Sequence, residues 1–375
     1  MAVASARALI IGGSGPTGPH LINGLIERGY DVTMMHRGTH DSPLIPSSVE
    51  RIIGDPHFRE TLAETLGDRS FDLVIATYGR IRYIAEEMVG RTPRFIAIGG
   101  PPCYRGMFAT DALDPPGMII PTPEDAPRVE SEEEFRFGYL IRLTEDAVFD
   151  THSQGHYNAT MFRYPVVYGT GQLGASVWAV MERALDGRQH IVLPDGGMAV
   201  VTRGYAPNVA HAVLLAVDHP DRSAGRTYNC GDEQQLTLSQ WVSVICDAMD
   251  HRMEVIGVPA EVAFSTRDFL PLQSAPVHQL LDLHAIRAEL GYRDLVPALE
   301  AIPEVVQWYL ANRPPSRRTL EERAAGLNYA AEDEQVALYR QFHRRLAEVE
   351  HVTHDVHHPY PHPRQPGLVR DHRRR

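Results

Sequence analysis

The chain contains no lysine, and all 36 of its basic residues are arginines. Chemistry that needs an ε-amino group is therefore excluded. Three cysteines, Cys103, Cys230 and Cys246, are too few and too scattered for a disulfide framework or a zinc site, and they fit a reducing cytoplasm. No run approaches the roughly 20 apolar residues of a membrane-spanning helix, and no signal peptide is apparent. We expect a cytoplasmic protein with no metal site and no membrane partner.

Charge and the C-terminal tail bear on possible partners. A net charge of −12 argues against a nucleic-acid partner, although four of residues 370–375 are arginines. The tail also holds six of the 19 histidines, and His354 and His358 are four residues apart. Prolines follow this pair and oppose a continued helix, so we interpret the tail as solvated or partner-facing rather than as a metal site.

Short apolar segments alternate with segments of helical periodicity, which is typical of a parallel sheet covered on both faces. A hydrophobic content of 43% is enough for a large core. The pattern predicts strands at 8–13, 31–36, 49–55, 71–79, 94–100 and 160–169, and helices at 18–29, 58–67, 131–150 and 330–350. We predict an α/β fold with a Rossmann-type doubly wound parallel sheet, a smaller mixed α/β lobe and a C-terminal helical extension.

The same patterns suggest three regions. Residues 1–170 form the dinucleotide-binding domain, to which later segments return, and 171–315 form mainly the substrate lobe. Residues 316–375 hold the C-terminal helix and the His/Arg-rich tail. The Pro-rich, acidic stretch 101–130 is predicted to be a loop, and Ser131 with Glu134 is typical of a helix-starting capping box.

A glycine-rich turn, Gly12-Gly13-Ser14-Gly15-Pro16-Thr17-Gly18, lies between the first strand and the first helix. Glycines at this spacing permit a tight turn and a close approach to a pyrophosphate, whose charge the helix N-terminus favours. We predict that the cofactor-binding residues here are Gly12, Gly15, Pro16, Thr17 and Gly18. The alternative is a tight turn that binds nothing.

The end of the second strand bears on the choice between NADP and NAD. An NAD site usually has an acidic residue there, but this sequence reads Met-His-Arg-Gly and has no acid before Asp41. Arg37 could bind a 2′-phosphate, so NADP is expected over NAD; otherwise Arg37 is an ordinary surface residue or stacks on adenine. Asp55 is placed to accept a hydrogen bond from adenine, or else belongs to an Asp-Pro turn. Other predicted cofactor contacts at strand ends are Ala76, Thr77, Pro165 and Val166.

Several motifs in order resemble the extended short-chain dehydrogenase/reductases, the NAD-dependent epimerase/dehydratase superfamily. Besides the G-x-x-G-x-x-G turn, they are MFRYPVVYGTGQ at 161–172, RGYAPNVAHAVLLAV at 203–217 and GRTYNCGDEQQLTLSQ at 225–240. The resemblance covers roughly residues 7–315, although Asn208 stands where the family usually has Asp. The sequences HRG and IIGD are similar to the atypical branch that includes chloroplast stem-loop-binding proteins.

The resemblance implies a catalytic Ser/Thr after the fifth strand and a Tyr-x-x-x-Lys pair on the following helix. Here the Ser/Thr position falls on Gly100, the tyrosine position on Phe137 and the lysine position on Ile141. Shifting the register to Tyr139 places Leu143 at the lysine position. The standard acid–base residues are therefore missing from the sequence.

Other side chains are candidates for the chemistry. Tyr139 is the nearest hydroxyl, although it lies about 200° around the helix from the expected face, and Arg142 could lower its pKa. Tyr78 follows the fourth strand, at the sheet edge where ligands bind. Predicted substrate contacts are Tyr104, Tyr168 and Arg203. The alternatives are pocket-wall tyrosines with bonded hydroxyls and a structural salt bridge at the arginine.

These features favour an NADP(H)-dependent oxidoreductase, a reductase of a carbonyl or conjugated enone in a small organic substrate, with non-standard proton donation. A non-redox lyase or isomerase, a cofactor-binding or RNA-associated protein and a non-catalytic subunit on the same fold remain alternatives. A homodimer is expected from the resemblance, with 131–150 and 330–350 as candidate contact helices.

Overall fold

The computed structural model describes residues 5–39, 42–172, 176–267, 277–314, 327–352 and 365–367. Predictions concerning His354, His358 and the arginines of 370–375 lie outside these residues. The chain divides into two compact units, residues 1–329 and 330–375. Among the described residues, no helix is long and apolar enough to span a bilayer.

Seven parallel strands form the main sheet, and the predicted Rossmann-type architecture is confirmed. They are β1 (Arg7–Ile11), β2 (Asp31–His36), β3 (Glu50–Ile53), β4 (Leu73–Ala76), β5 (Arg94–Gly99), β6 (Asn158–Arg163) and β10 (Arg226–Asn229). Their spatial order is β10-β6-β5-β4-β1-β2-β3, so β1 lies between β2 and β4. The chain changes direction across the sheet at β1, and a crevice opens there beside the carboxyl ends of the strands.

Helices cover both faces of this sheet because alternate strand residues point to opposite sides. On one face, α1 (Gly18–Glu27) and α6 (Ala206–Asp218) pack in a core with Ile10, Met34 and Ile75. On the other, α2 (Arg59–Leu66), α3 (Ile81–Glu87) and α4 (Glu132–Ser153) pack with their own set of strand residues. The central strands β1, β4 and β5 are buried on both sides, which explains why they are mostly apolar, whereas the edge strands β3 and β10 are partly exposed and carry polar residues.

The predicted strand 160–169 is two strands in the structure. Pro165 interrupts it, since proline has no amide N–H for the ladder. Beyond it, β7 (Val166–Tyr168) leaves the main sheet and pairs in parallel with β9 (Arg203–Tyr205).

The segments after β7 build a third core. A two-stranded parallel sheet of β8 (His190–Pro194) and β11 (Glu254–Val258) packs with helices around Trp241. The remaining helices of the first unit are α5 (Ser176–Leu185), α7 (Leu238–Asp247), α8 (Phe264–Arg267), α9 (His284–Leu290) and α10 (Ala298–Ala311). Short 3₁₀ turns occur at Pro101–Cys103, Thr110–Ala112, Asp195–Gly197 and Ala260–Val262. The last described helix, α11 (Tyr329–Ala347), lies within the predicted 330–350 segment apart from its first residue.

Two local predictions around α4 can be compared with the structure. The Ser131 hydroxyl accepts a hydrogen bond from the Glu134 amide (3.3 Å), so the predicted cap is present. The Glu134 carboxylate accepts from the Glu130 amide (3.3 Å). Residues 101–130 contain the two 3₁₀ turns and take part in two isolated bridges, one between Tyr104 and Arg128 and one between Thr122 and Leu281.

Candidate functional site

A cavity of about 390 Å³ opens at the crevice beside β1, β2 and β4, within the size range of small-molecule sites. Its lining consists of the glycine turn and residues at the carboxyl ends of three strands. These residues are Gly12, Gly13, Ser14, Gly15, Pro16, Thr17, Gly18, His36, Arg37, Thr39, Thr77, Tyr78, Tyr164 and Val167. All five predicted residues of the turn therefore line one cavity.

Two glycines of the turn are required by its shape. Gly12 has φ of +107°, and a β-carbon there would lie 2.2 Å from the Thr77 hydroxyl oxygen. A β-carbon at Gly18 would lie 1.8 Å from the Gly13 carbonyl oxygen. Gly15 differs, because a β-carbon there would have no atom of the described chain within 4 Å. Its lack of a side chain leaves open space on the cavity wall, where a ligand backbone could approach.

The N-terminus of α1 faces the cavity with its first turn uncapped. Thr17 is the N-cap residue but makes no side-chain capping hydrogen bond, and Pro19 occupies the first turn. The positive end of the helix dipole and the nearby backbone amides favour an anion at this end of the cavity. A dinucleotide pyrophosphate fits this environment.

At the β2 end, Arg37 stands over the ring of Tyr78, with 5.2 Å from the guanidinium carbon to the ring centroid. The His57 ring also contacts the Tyr78 ring edge-on, with 5.0 Å between the two ring centroids. Arg37 is exposed and lines the cavity, so its cationic group is available to a ligand phosphate. Tyr78, one of the three catalytic candidates, therefore lies beside the predicted phosphate-binding arginine.

Asp55 lies outside the cavity lining, in a turn with His57. Its carboxylate accepts hydrogen bonds from the His57 backbone amide (3.0 Å) and from Nδ1 of that ring (2.7 Å). These bonds, the backbone one first, lower the pKa of Asp55. The alternative interpretation of Asp55 was an Asp-Pro turn, and such a turn is present. Contact of Asp55 with adenine stays a prediction.

The other strand-end predictions differ in outcome. Thr77 lines the cavity and its hydroxyl donates to the Ile11 carbonyl (3.2 Å), whereas Ala76 is buried inside β4. After β6, the cavity is lined by Tyr164 and Val167 rather than by Pro165 and Val166. Sequence reasoning missed Tyr164 because the break in the predicted strand altered which residues face the crevice.

Apolar atoms occupy the place where the resemblance implies acid–base residues. Ile141 packs near the end of β5, since its Cγ2 atom lies 3.6 Å from the β-carbon position of Gly99. Phe137, one turn earlier on α4, is 59% exposed. Together with Gly100, these side chains supply neither a hydroxyl nor a cation to this part of the crevice.

Tyr139 and Arg142 do contact each other, as their spacing on the helix predicts. The Arg142 guanidinium carbon lies 5.1 Å from the Tyr139 ring centroid, and its Nε lies 3.4 Å from an Asp146 carboxylate oxygen. The guanidinium thus stacks on the ring face and pairs with an acid, and neither residue is among those that line the cavity. Their catalytic role stays a prediction.

Tyr104 was expected to flank the substrate cleft, but the structure buries it in a polar network with 1% exposure. Its hydroxyl donates to the Asn229 side chain (2.7 Å) and accepts from Arg163 Nη1 (2.6 Å). Arg163 in turn binds the Glu145 carboxylate with two donors (2.8 and 2.7 Å). Burial raises the pKa of Tyr104, so its hydroxyl serves structure here.

Tyr168, the second predicted substrate contact, is also fully buried. Its hydroxyl donates to the carboxylate of Asp232 (2.8 Å), which also accepts from the Tyr205 amide (2.8 Å) and the Asn208 side chain (2.9 Å). Desolvation nevertheless raises the pKa of Asp232 to about 6. This network joins β7, β9 and α6, and it corrects the expectation that Tyr168 faces a ligand.

Arg203 is 3% exposed and stacks on Trp241, with 4.6 Å from the guanidinium carbon to the ring centroid. One nitrogen donates to the Val201 carbonyl (3.3 Å), while Nε and Nη2 have no partner among the described residues. Burial lowers the pKa of Arg203 to about 10. The alternative interpretation of Arg203 as half of a salt bridge is therefore wrong for the part of the chain that is described.

Comparison with known proteins agrees with this architecture. Residues 120–231 match the model of the NAD dependent epimerase/dehydratase family. A UDP-N-acetyl-alpha-D-glucosaminuronate decarboxylase of Bacillus cytotoxicus is 21% identical over 332 residues, covering 81% of this chain and 97% of that protein.

Solved structures resemble the chain over a similar extent. An epimerase from Methanothermobacter thermautotrophicus superposes with a TM-score of 0.65 and 15% identity, covering 82% of this chain and 93% of that one. A UDP-glucose 4-epimerase from Thermotoga maritima with UDP-glucose superposes with a TM-score of 0.65 and 18% identity, covering 82% of this chain and 100% of that one. A dTDP-glucose 4,6-dehydratase from Streptomyces venezuelae with NAD superposes with a TM-score of 0.63 and 17% identity, covering 82% of this chain and 98% of that one. The resemblance to the NAD-dependent epimerase/dehydratase superfamily is confirmed, and the fold is shared.

Proposed function

Because the chain shares the fold of the NAD-dependent epimerase/dehydratase superfamily, we propose that it is an NADP(H)-dependent oxidoreductase. The proposed substrate is a small organic molecule with a carbonyl or a conjugated enone. The observation that carries this proposal is the cavity in which the glycine turn, the uncapped start of α1 and the Arg37 guanidinium meet. An anionic dinucleotide matches that set of groups.

Arg37 supports NADP over NAD. It lines the cavity at the end of β2, where an acidic residue would bind the ribose hydroxyls of NAD. A guanidinium there attracts a 2′-phosphate, and the Tyr78 ring beneath it holds its plane in place.

The residues near the end of β5 support a reaction with simple proton requirements. The dinucleotide, when bound, supplies the hydride. Ile141 and Phe137 carry no acid–base group, and the standard tyrosine and lysine are missing from the sequence. A reduction needs one proton, which water, Tyr78 or a displaced Tyr139 assisted by Arg142 can supply, whereas reversible epimerisation needs a poised base.

The test has two stages. Isothermal titration with NADPH and NADH measures affinity, and we expect tighter binding of NADPH. Absorbance at the NADPH maximum then follows oxidation with a panel of aldehydes and enones. Tight NADPH binding without turnover of any panel member would contradict the reductase assignment, and absence of binding to both nucleotides would contradict the whole proposal.

A second candidate, a non-redox lyase or isomerase acting on a sugar nucleotide, is favoured by Arg203. A buried guanidinium with two nitrogens that lack a partner among the described residues is suited to a diphosphate. Similar proteins carry names that contain UDP or dTDP sugars. We expect UDP-glucose to bind the wild-type chain and Arg203→Leu to weaken that binding at least tenfold if this candidate is correct. Equal affinity of the wild-type chain and Arg203→Leu for UDP-glucose would contradict this candidate.

We also propose a homodimer in the cytoplasm with no nucleic-acid partner. Light scattering after gel filtration at several concentrations measures the oligomeric state. A monomeric mass at all of them would contradict the dimer.

A further inference from the structure

Three phenylalanine rings contact one another where the loop after β5 meets the start of α4, and we call them the aromatic cluster (Phe108, Phe135 and Phe137). The ring centroids of Phe108 and Phe135 lie 5.1 Å apart, and those of Phe135 and Phe137 lie 6.3 Å apart with the rings edge-on. Phe137 is nevertheless 59% exposed, and Leu140, three residues later, is also exposed. Contiguous exposed apolar side chains on a folded protein commonly mark a binding surface.

Backbone packing holds the aromatic cluster in place. Phe135 has an extended backbone (φ −163°, ψ 98°), so α4 is kinked there. A β-carbon at Gly138 would lie 2.1 Å from the Pro102 carbonyl oxygen, so α4 packs closely against the 3₁₀ turn that follows β5. In the loop, Gln279 Nε2 donates to the carbonyl of Met107, the residue before the first ring (3.1 Å). A surface that is ordered in advance loses little conformational entropy when a ligand binds.

The aromatic cluster adjoins the sheet edge beside the cavity. Ile141, one turn after Phe137 and on the same face of α4, has its Cγ2 atom 3.6 Å from the β-carbon position of Gly99 at the end of β5. The Gly99 carbonyl accepts a hydrogen bond from the Tyr164 amide (3.2 Å), and Tyr164 lines the cavity. Ligands of open α/β sheets bind outside the carboxyl ends of the strands. A substrate beside a cofactor in the cavity would therefore reach Ile141 and then Phe137.

The chemistry of the aromatic cluster indicates what kind of substrate it suits. Phenyl side chains neither donate nor accept hydrogen bonds, so the cluster offers nothing to the hydroxyls of a sugar. Its rings present faces and edges that pack favourably against another aromatic ring. The half-buried rings of Phe108 and Phe135 support the exposed ring of Phe137 from one side and leave its remaining surface accessible.

We infer that the substrate carries an aromatic ring, which packs against Phe137, and that its carbonyl or enone extends from that ring toward the cavity. This inference rests on the proposed function and names the substrate class for the same site. In the reaction, the C=C bond of an aryl enone takes up the hydride at its β-carbon and a proton from water at its α-carbon, while NADPH is oxidised to NADP⁺.

The test compares benzylideneacetone with ethylideneacetone, two enones that differ only in a phenyl or a methyl group on the β-carbon. Oxidation of NADPH gives kcat/KM, and isothermal titration of the NADP⁺ complex gives the affinity for each enone. In the wild type we expect kcat/KM to be about 30-fold higher for benzylideneacetone, because the phenyl group buries more apolar surface.

Phe137→Ala should lower both kcat/KM and affinity for benzylideneacetone about tenfold and leave ethylideneacetone unaffected. Phe137→Leu, which keeps an apolar side chain without a ring, should lose about threefold. Phe342→Ala is the matched control, because Phe342 is 58% exposed and belongs to the C-terminal unit. It should keep the wild-type values for both enones.

Equal kcat/KM for the two enones in the wild type, or an unchanged preference in Phe137→Ala, would overturn the inference while the proposed function stands. So would turnover of neither enone by a protein that reduces other members of the panel. A lower mass in light scattering with an unchanged preference in Phe137→Ala would assign the surface to an interface between copies instead. Absence of NADPH binding in the wild type would overturn the proposed function and the inference together.

Discussion

At the residue scale, the glycine turn shows that similar positions in a motif have different physical roles. A β-carbon at Gly18 would collide with the Gly13 backbone, whereas one at Gly15 would extend into open cavity. Gly18 is therefore needed to fold the turn, and Gly15 is needed to let a ligand approach.

We expect Gly18→Ala to lower the melting temperature strongly, because backbone atoms cannot yield to the added carbon. Gly15→Ala should keep the wild-type melting temperature and weaken NADPH binding about tenfold or more. Calorimetry and titration of both variants check this. Full NADPH affinity in Gly15→Ala would contradict a pyrophosphate at this turn.

Asp232 provides a second residue-scale prediction, on pH dependence. Its pKa is about 6 in the folded chain against an ordinary value of 3.8, because the carboxylate is desolvated. The folded state therefore holds an extra proton between these values, and this group's contribution to stability falls as pH rises through that window.

Relative to the wild type, Asp232→Asn should gain up to about 3 kcal/mol of unfolding free energy between pH 4 and pH 7. Urea unfolding of both proteins at the two pH values measures the change. An identical difference at both pH values would show that Asp232 keeps its ordinary pKa in the folded chain.

At the element scale, α4 is held on the sheet by a buried ion pair. Glu145 of α4 receives two hydrogen bonds from Arg163 at the end of β6 and one from Arg128 (3.0 Å). Burial alone would raise the pKa of Glu145, but the hydrogen bonds and charge of Arg163 outweigh it and lower the pKa. The same face of the helix carries Ile141, so this ion pair fixes the apolar surface beside the crevice.

We expect Glu145→Gln to destabilise the fold by about 3 kcal/mol, because Arg163 would remain buried without an anion. The matched control on the same helix is Glu132→Gln, which breaks an exposed pair with Arg136 and should cost about 0.5 kcal/mol or less. Denaturant titrations compare the two. Equal effects would mean that the buried pair contributes no more than a surface pair.

At the scale of the whole molecule, the cavity is built by residues 12–167, all within the first compact unit. The strand order places β1 between β2 and β4, so residues from three separate segments converge on one crevice. The C-terminal unit contributes no residue to the cavity lining that the structure describes.

A chain ending at Ala347 should therefore bind NADPH with wild-type affinity. It loses the histidines and arginines of the tail, so any weak RNA binding that they support should be lost with them. Titration with NADPH and with a structured RNA at low and high salt measures both. Loss of NADPH affinity would show that the tail takes part in the site.

Local pattern was enough for some features of the candidate site. Gly12 and Gly18 are needed for the shape of a short turn, and the absence of lysine removes one type of catalyst wherever the chain folds. Tyr104 and Tyr168 could not be placed in this way, because their partners Asn229 and Asp232 lie far along the sequence.

The sequence by itself determined the alternation of strands and helices, the glycine turn between β1 and α1 and the lack of the usual acid–base pair. These properties depend on neighbouring residues or on composition. Only the tertiary structure decided that Pro165 sends β7 to a different sheet, that Tyr104 and Tyr168 are buried and that His36 lines the cavity with no ring partner among the described residues. Such outcomes depend on which distant segments pack together, and periodicity carries no information about a residue's partners across the fold.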